Sequence, residues 1–392
     1  MPQRSWHRPD LCQGARGERL IRARRYSPTP NRSSFQLLEQ RSNLLRSPVF
    51  TLTALEIPII AAPMAGGAST PNLACAVSEA GGLGFLAGGY KTPEALAEQI
   101  VDVQQRTDHA FGVNLFIPQP PLTDRAAVET YRDALGREYS AATFGEIADA
   151  DDDWFAEKVA VVIEHRVPVL SFTFGLPPRD AAERMHTAGS FLIATVTSVA
   201  EALQAVDRGV DALCVQGPES GGHRATFTTS DEPGTLALGE LLIAIREVVT
   251  LPLIAAGGIH SGGQIASLLA NGAAAVQLGT AFLRTDESGA NPAHQSALLD
   301  PRFTETVITR AFSGRPARGL SNAFITAHDA SAPHEYPQVH HLTKGLRADA
   351  ARRGDPHGLA LWAGTGFREA STGPAAAVLL GLWIDARAAV SS

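Results

Sequence analysis

The chain has 392 residues, of which 44% are hydrophobic and 19% are charged, and its formal net charge at pH 7 is −7. This composition is typical of a folded globular protein and excludes a chain that is disordered throughout. The longest apolar run, residues 375–384, is about half as long as a membrane span requires, and three cysteines are too few for a disulfide framework or a cysteine metal cluster.

Residues 1–48 differ from the rest of the chain in charge. They contain ten arginines, no lysine and three acidic residues, a net charge of +7, so the remaining residues carry −14. The segment lacks helical or strand periodicity, which predicts a disordered Arg-rich extension. An organelle transit peptide and a start site placed too far upstream are the alternatives. Nucleic-acid binding is not predicted, because no interleaved aromatic residues accompany the arginines.

From residue 57 onward, short apolar runs alternate with helical patterns. Each run has the length of a buried parallel strand, and most of the runs end in glycine or proline. The eight runs are residues 57–64, 83–87, 111–116, 167–174, 191–196, 211–215, 251–256 and 274–280.

Helical periodicity fills the gaps between these runs. Thr70-Pro71 and Thr92-Pro93 each place a capping residue before a proline at the first helical position, and Asn271-Gly272 is a helix stop. The predicted helices include residues 72–80, 92–105, 198–207, 238–249 and 262–271. Eight strand–helix units spaced by roughly 25–35 residues predict an α/β protein with a (β/α)8 barrel, the TIM barrel; a doubly wound sheet is the alternative.

Two segments are too long for a single crossover helix. They are residues 117–158, after the third strand, and residues 284–355, after the eighth. Because barrels vary through the loops at the carboxyl ends of their strands, we expect both segments to form one small, mostly helical second domain over the barrel mouth, here called the lid domain. The barrel then comprises residues 49–116, 159–283 and 356–392, and a last helix over residues 374–390 closes it.

The segment Gln216-Gly-Pro-Glu-Ser-Gly-Gly-His223 follows the sixth predicted strand. The carboxyl end of a parallel strand is where α/β proteins place their chemistry. Gly221 and Gly222 lack a Cβ and so allow a flat ligand to approach the backbone closely, and His223 can act as a base or as a hydrogen-bond partner. Taken alone, the motif is equally typical of a glycine-rich turn with a surface histidine.

Several motifs resemble those of the nitronate monooxygenases, formerly called 2-nitropropane dioxygenases, which are FMN-dependent TIM barrels. The resemblance extends from about residue 57 to residue 367. The motifs that carry it are residues 63–67, 216–223, 256–259, 277–282, 313–318, 336–337, 342–343 and 361–364.

The resemblance implies that the cofactor is FMN and that the catalytic residue is His223. It places the flavin phosphate at the ends of the seventh and eighth strands, and the flavin ring against Met64, Asn114 and Gln216. The residues implied to bind the cofactor are Met64, Ala65, Gly66, Asn114, Gln216, Gly221, Gly222, Gly257, Gly258, Gln277, Leu278, Gly279 and Thr280. Thr173 and Tyr336 are candidates for contact with the substrate.

One residue departs from the family pattern. Members usually carry a histidine in the Ser-Phe-X-Phe-Gly motif of the fourth strand, where this chain has Thr173. A threonine hydroxyl donates a hydrogen bond but does not act as a base near neutral pH. This departure predicts another substrate or slower turnover.

The implied reaction is the oxidation of an alkyl nitronate by FMN and O2, which yields a carbonyl compound and nitrite. The expected partners are thus a small nitronate or nitroalkane and O2, with no metal, nucleic acid or membrane, and the expected protein is a cytoplasmic monomer or homodimer. The alternatives are a flavin-dependent NAD(P)H:quinone or enoyl-thioester reductase on the same barrel, a phosphate-binding isomerase without flavin, and a non-catalytic flavin-binding paralogue, for which Thr173 is the only support.

Overall fold

The computed structural model describes residues 50–139 and 143–390, so the prediction for residues 1–48 lies outside the described residues. Eight parallel strands with their carboxyl ends at one edge form the centre of the fold. They are β1 (Ile59–Ala61), β2 (Gly84–Ala87), β3 (Phe111–Phe116), β4 (Val169–Thr173), β5 (Phe191–Val196), β6 (Ala212–Gln216), β8 (Leu253–Ala256) and β9 (Ala275–Leu278).

Each of these strands pairs with its neighbour in chain order, and the sheet closes on itself. The last strand, β9, pairs with β1 through Ile59 and Val276, and a parallel bridge between Ile60 and Leu83 joins β1 to the start of β2. The predicted (β/α)8 TIM barrel is therefore confirmed, and the doubly wound alternative is wrong because its sheet would stay open.

The helices lie where the periodicity predicts them. Thr70 and Thr92 cap the first two of them by accepting hydrogen bonds from the N–H groups of Leu73 and Ala95. The first eight helices in chain order are α1 (Pro71–Glu79), α2 (Pro93–Arg106), α3 (Arg125–Glu138), α4 (Phe155–Glu164), α5 (Arg179–Thr187), α6 (Val199–Arg208), α7 (Leu238–Arg246) and α8 (Gly262–Ala270). The remaining helices are α9 (Pro292–Ala297), α10 (Ala323–His328), α11 (Gln338–Leu342), α12 (Lys344–Arg353) and α13 (Ala375–Val390). No helix in the described part of the chain is both long enough and apolar enough to cross a membrane.

Alternate residues of the strands belong to two hydrophobic clusters, as the two-residue period of a strand requires. Ile59 packs in the cluster between strands and helices, whereas Ile60 packs in the barrel interior. Phe50 joins the interior cluster and meets the ring of Phe191, the first residue of β5, at 5.5 Å. The amino-terminal end of the barrel is therefore filled with side chains.

A small sheet that the sequence did not predict joins the loop after β6 to the second insertion. Three short antiparallel strands form it: β7 (Gly222–His223), β10 (Thr306–Thr309) and β11 (Ala317–Leu320). In its register, Ala317 lies opposite His223. A two-residue strand carries no detectable period, so only the folded chain reveals that the loop after β6 joins the second insertion.

Both insertions contribute side chains to one further hydrophobic cluster. Val128 and Tyr131 of the first insertion pack there with Phe312, Val339 and Leu346 of the second. The Tyr131 hydroxyl donates a hydrogen bond to the backbone carbonyl of Ala311 at 2.8 Å. Helix α3 is thereby attached to the segment that carries α10, α11 and α12.

Candidate active site

A cavity of about 600 Å³ opens among the loops at the carboxyl ends of the strands. All but one of the residues predicted for the site line it. They are Met64, Ala65, Gly66, Asn114, Thr173, Gln216, Gly221, Gly222, His223, Gly257, Gly258, Gln277, Leu278, Gly279 and Thr280. The exception is Tyr336.

Two glycines leave open space at the cavity wall. Gly66 and Gly222 have φ values of 91° and 77°, which favour glycine. A Cβ added to either residue would meet no protein atom within 4 Å. A side chain at these positions would therefore project into space that a flat ligand can occupy.

The loops after β8 and β9 present unpaired backbone donors. Among the described residues, no acceptor is found for the N–H groups of Gly258, Gly279 or Thr280. The Thr280 hydroxyl oxygen accepts a hydrogen bond from the Gly364 N–H at 3.0 Å, which fixes the C-terminal Trp-Ala-Gly motif against this loop. Free N–H groups at the ends of the seventh and eighth barrel strands fit a phosphate anion.

Asn114 is held with its amide oxygen available. Its Nδ2 donates hydrogen bonds to the hydroxyls of Ser171 and Thr173, at 2.9 and 3.0 Å. Its Oδ1 accepts no hydrogen bond from any described residue, although the side chain is almost fully buried. Asn114 lines the cavity, so this free Oδ1 is suited to accept a hydrogen bond from a ligand N–H, such as the ring imide of a flavin.

Gln216 holds the loop together. Its Nε2 donates to the carbonyl of His223 at 3.0 Å, and its Oε1 accepts from the N–H of Ala225, also at 3.0 Å. The amide thus bridges the glycine-rich segment, and one Nε2 hydrogen remains for a ligand.

His223 lies among aromatic rings. Its ring centroid is 5.7 Å from that of Phe174, 5.6 Å from that of Tyr336 and 5.5 Å from that of Trp362. Burial, together with the positive charges of Arg315 and Arg347, lowers the pKa of His223 to about 3. The imidazole is therefore neutral at pH 7.

Tyr336 lies behind His223. Its hydroxyl is 2.9 Å from that of Tyr90, and the Tyr90 ring stacks on that of His340 at a centroid distance of 3.9 Å. Tyr90 and His340 line the cavity, whereas Tyr336 supports them from outside it. Contact of Tyr336 with a substrate stays a prediction.

Several residues that complete the site have no role predicted from the sequence. Ser313 contacts the His223 ring, Trp362 and Arg347 line the cavity, and Arg315 lies over the ring of Phe174 at 4.2 Å. Ser313 and Arg315 belong to a motif that carried the family resemblance, so a role could have been expected for them. For Arg347, the sequence offers one indication of a role: its spacing from Lys344 and Ala348 places the three residues on one face of a helix.

Comparison with known proteins identifies the chain. A family model described as nitronate monooxygenase matches residues 48–383. A probable nitronate monooxygenase of Bacillus subtilis (strain 168) is 37% identical over 324 residues, which are 81% of this chain and 92% of the relative. A second one, from Staphylococcus aureus (strain Newman), is 36% identical over 342 residues, which are 84% of this chain and 94% of the relative.

Solved structures agree with this identification. The nitroalkane oxidase of Streptomyces ansochromogenes superimposes with a TM-score of 0.83 at 46% identity, over 86% of this chain and 98% of the other. FabK of Thermotoga maritima superimposes with a TM-score of 0.68 at 29% identity, over 88% and 98% of the two chains. The chain therefore belongs to the nitronate monooxygenase family and is a flavin oxidoreductase.

Proposed function

We propose that this protein uses FMN and O2 to convert alkyl nitronates into a carbonyl compound and nitrite. The observation that supports this proposal most is the pairing of two features in one cavity. The unpaired N–H groups of Gly258, Gly279 and Thr280 suit a phosphate, and the neutral His223 lies in the same cavity. Family membership supplies the reaction type.

The phosphate would bind to the loops after β8 and β9, and the ring would lie along Met64 and the open faces of Gly66 and Gly222. One set of unpaired donors fits the single phosphate of FMN. The sequence shows no second nucleotide-binding motif of the G-x-G-x-x-G type after a strand. We therefore propose FMN and not FAD as the cofactor. When bound, FMN would accept electrons from the nitronate and pass them to O2.

His223 would take the proton when the substrate arrives as a neutral nitroalkane. The α-carbon C–H bond breaks, its electron pair remains on the nitro compound as the nitronate, and the proton moves to an imidazole nitrogen. A group whose pKa is held near 3 is a weak base. We therefore propose that preformed nitronates are better substrates than neutral nitroalkanes.

The lid domain would exclude water from the reaction. His340 of α11 and Lys344 and Arg347 of α12 line the cavity, so the second insertion forms part of its wall. Water exclusion strengthens the electrostatic interactions inside a site and protects reactive species.

The test has two parts. The purified protein is denatured and the released chromophore is identified by chromatography; FMN at one per chain is expected, whereas FAD, or no flavin after reconstitution, contradicts the cofactor proposal. The holoprotein is then mixed with ethyl nitronate in air, and nitrite and acetaldehyde are measured. Equal amounts of both support the proposed reaction, whereas no nitrite, together with rapid oxidation of NADH or NADPH, favours the reductase alternative.

A further inference from the structure

The cavity wall is positive within an acidic protein. Residues 49–392 carry a net charge of −14. Nevertheless, the charged side chains that line the cavity within the described ranges are Lys344 and Arg347, with no aspartate or glutamate. Such local inversion of charge attracts an anion that the protein as a whole repels.

Both cations come from one face of helix α12. Lys344, Arg347, Ala348 and Ala351 all line the cavity, and their spacing of three, four and seven residues places them on one side of a helix. Lys344 is exposed at the start of α12, whereas Arg347 is partly buried one turn further on. Of the two, Arg347 is thus the cation that is better shielded from solvent.

Arg347 is held in place but not neutralised. Its Nη2 donates to the His340 carbonyl at 2.7 Å and its Nε donates to the Thr343 hydroxyl at 3.2 Å. It forms no ion pair with any carboxylate of the described chain, and its Nη1 donates no hydrogen bond there. Burial lowers the pKa of Arg347 only to about 10, so the guanidinium stays charged at neutral pH.

Lack of a carboxylate partner does not by itself mark a binding residue. Arg224 and Arg315 are more deeply buried and likewise pair with no described carboxylate, but they donate to backbone carbonyls such as those of Gly217 and Thr226, and neither lines the cavity. Arg347 differs in facing the cavity with a free donor. It lines the same cavity as His223, and its charge contributes to the lowered pKa of that residue.

We propose that Arg347 binds the anionic nitronate group of the substrate through its free Nη1 and so makes the site select ionised over neutral nitro compounds. This inference rests on the proposed function. A charged donor that faces an anion forms one of the stronger hydrogen bonds in proteins, and a neutral nitroalkane offers it much less.

The test measures binding without turnover. Nitrate, a planar oxyanion that cannot be oxidised, is titrated into the FMN-loaded protein by calorimetry at low ionic strength. Arg347→Gln should weaken nitrate binding by about tenfold to a hundredfold, and Arg347→Lys should restore part of it. The matched control is Arg352→Gln, which removes one positive charge from the exposed face of α12, where Arg352 pairs with Asp349 at 2.9 Å. The nitrate affinity of this variant should stay within about twofold of that of the unaltered protein.

Two results would overturn the proposal: nitrate affinity of Arg347→Gln within about twofold of the unaltered protein, or an equal loss in Arg352→Gln, which would indicate a general charge effect. If Arg347→Gln yields no FMN-loaded protein, the unaltered holoprotein is treated with phenylglyoxal and its arginines are mapped by mass spectrometry. Nitrate should then slow the modification of Arg347 severalfold, and lack of protection overturns the proposal.

Kinetics separate this inference from the proposed function. For nitronates, Arg347→Gln should raise KM more than it lowers kcat, because the interaction exists before the reaction begins. A holoprotein that binds nitrate through Arg347 but oxidises no nitronate would refute the proposed function, whereas the proposed anion site would still be supported. Active enzyme whose Arg347 variants bind nitrate normally would refute the anion site alone.

Discussion

The Nε2 atom of His223 lies 2.8 Å from the Oγ atom of Ser313, a residue 90 positions later in the chain. The same Oγ lies 3.2 Å from the backbone carbonyl of Arg315, which can only accept a hydrogen bond. When the serine hydroxyl donates to that carbonyl, its oxygen accepts a hydrogen bond from the Nε2–H of His223. This arrangement leaves Nδ1 as the ring nitrogen that can accept a proton.

Ser313→Ala should lower the turnover of neutral nitroalkanes by up to about tenfold, the size of one hydrogen bond, because the tautomer of His223 is no longer fixed. Preformed nitronates need no deprotonation and should be affected less. Steady-state kinetics on both substrates at equal flavin content provide the measurement. Ser313→Thr keeps the hydroxyl and serves as the control; the same loss in both variants would argue against the tautomer mechanism.

Replacing His223 with asparagine removes the base but keeps a hydrogen-bonding side chain. Activity on neutral nitroalkanes should fall by roughly 10²–10⁴-fold, whereas turnover of preformed nitronates should fall much less. The absorption spectrum should show that flavin remains bound. Equal losses on the two substrates would instead indicate that His223 positions the substrate, and unchanged kinetics on both would falsify a catalytic role.

Buried histidines should make the protein sensitive to acid. The pKa of His223 is lowered to about 3 and that of His294 to about 4, mainly by burial, whereas both titrate near 6.5 when the chain is unfolded. Between these values the unfolded state binds more protons, so the free energy of unfolding falls as the pH drops below 6.5. Each residue contributes a slope of up to about 1.4 kcal/mol per pH unit.

Urea unfolding at pH 7, 6.5 and 5 measures this effect. Carboxylates titrate in the same range, so the comparison is made between the unaltered protein and His223→Asn. The variant should lose less stability between pH 6.5 and pH 5, by roughly 1–2 kcal/mol. Identical pH profiles would show that His223 is not held neutral by burial.

Gly222 should matter for the ligand more than for folding. Gly222→Ala adds a Cβ beside the cavity at a φ of 77°, and Gly189→Ala adds one at a φ of 95° in an exposed turn after α5, where it likewise meets no atom within 4 Å. Both variants should lose roughly 1–2 kcal/mol of stability through backbone strain. Only Gly222→Ala should weaken FMN binding, measured by fluorescence titration of the flavin-free protein; equal FMN affinities would contradict the proposed ring position.

The sequence by itself determined the barrel. Strand and helix periods depend on neighbouring residues only. The sequence is therefore sufficient to predict the eight apolar runs, the helix caps Thr70 and Thr92 and the helix stop at Asn271-Gly272. The sequence also predicts that His223 and the glycines at strand ends lie near one another, because the loops after all parallel strands of a barrel lie at the same edge of the sheet.

Only the tertiary structure decided what those residues do. The contact of His223 with Ser313, the stacking of Tyr90 on His340 and the pairing of β7 with β11 join segments that are distant in the chain. The protonation state of His223 is likewise a tertiary property, because it depends on burial and on the charges of Arg315 and Arg347 in the second insertion. A pattern of residue types does not show how deeply a side chain is buried or how far apart two groups lie. Burial and distance together set the pKa of a group. They also decide that the guanidinium of Arg347 faces the cavity without a carboxylate partner in the described chain.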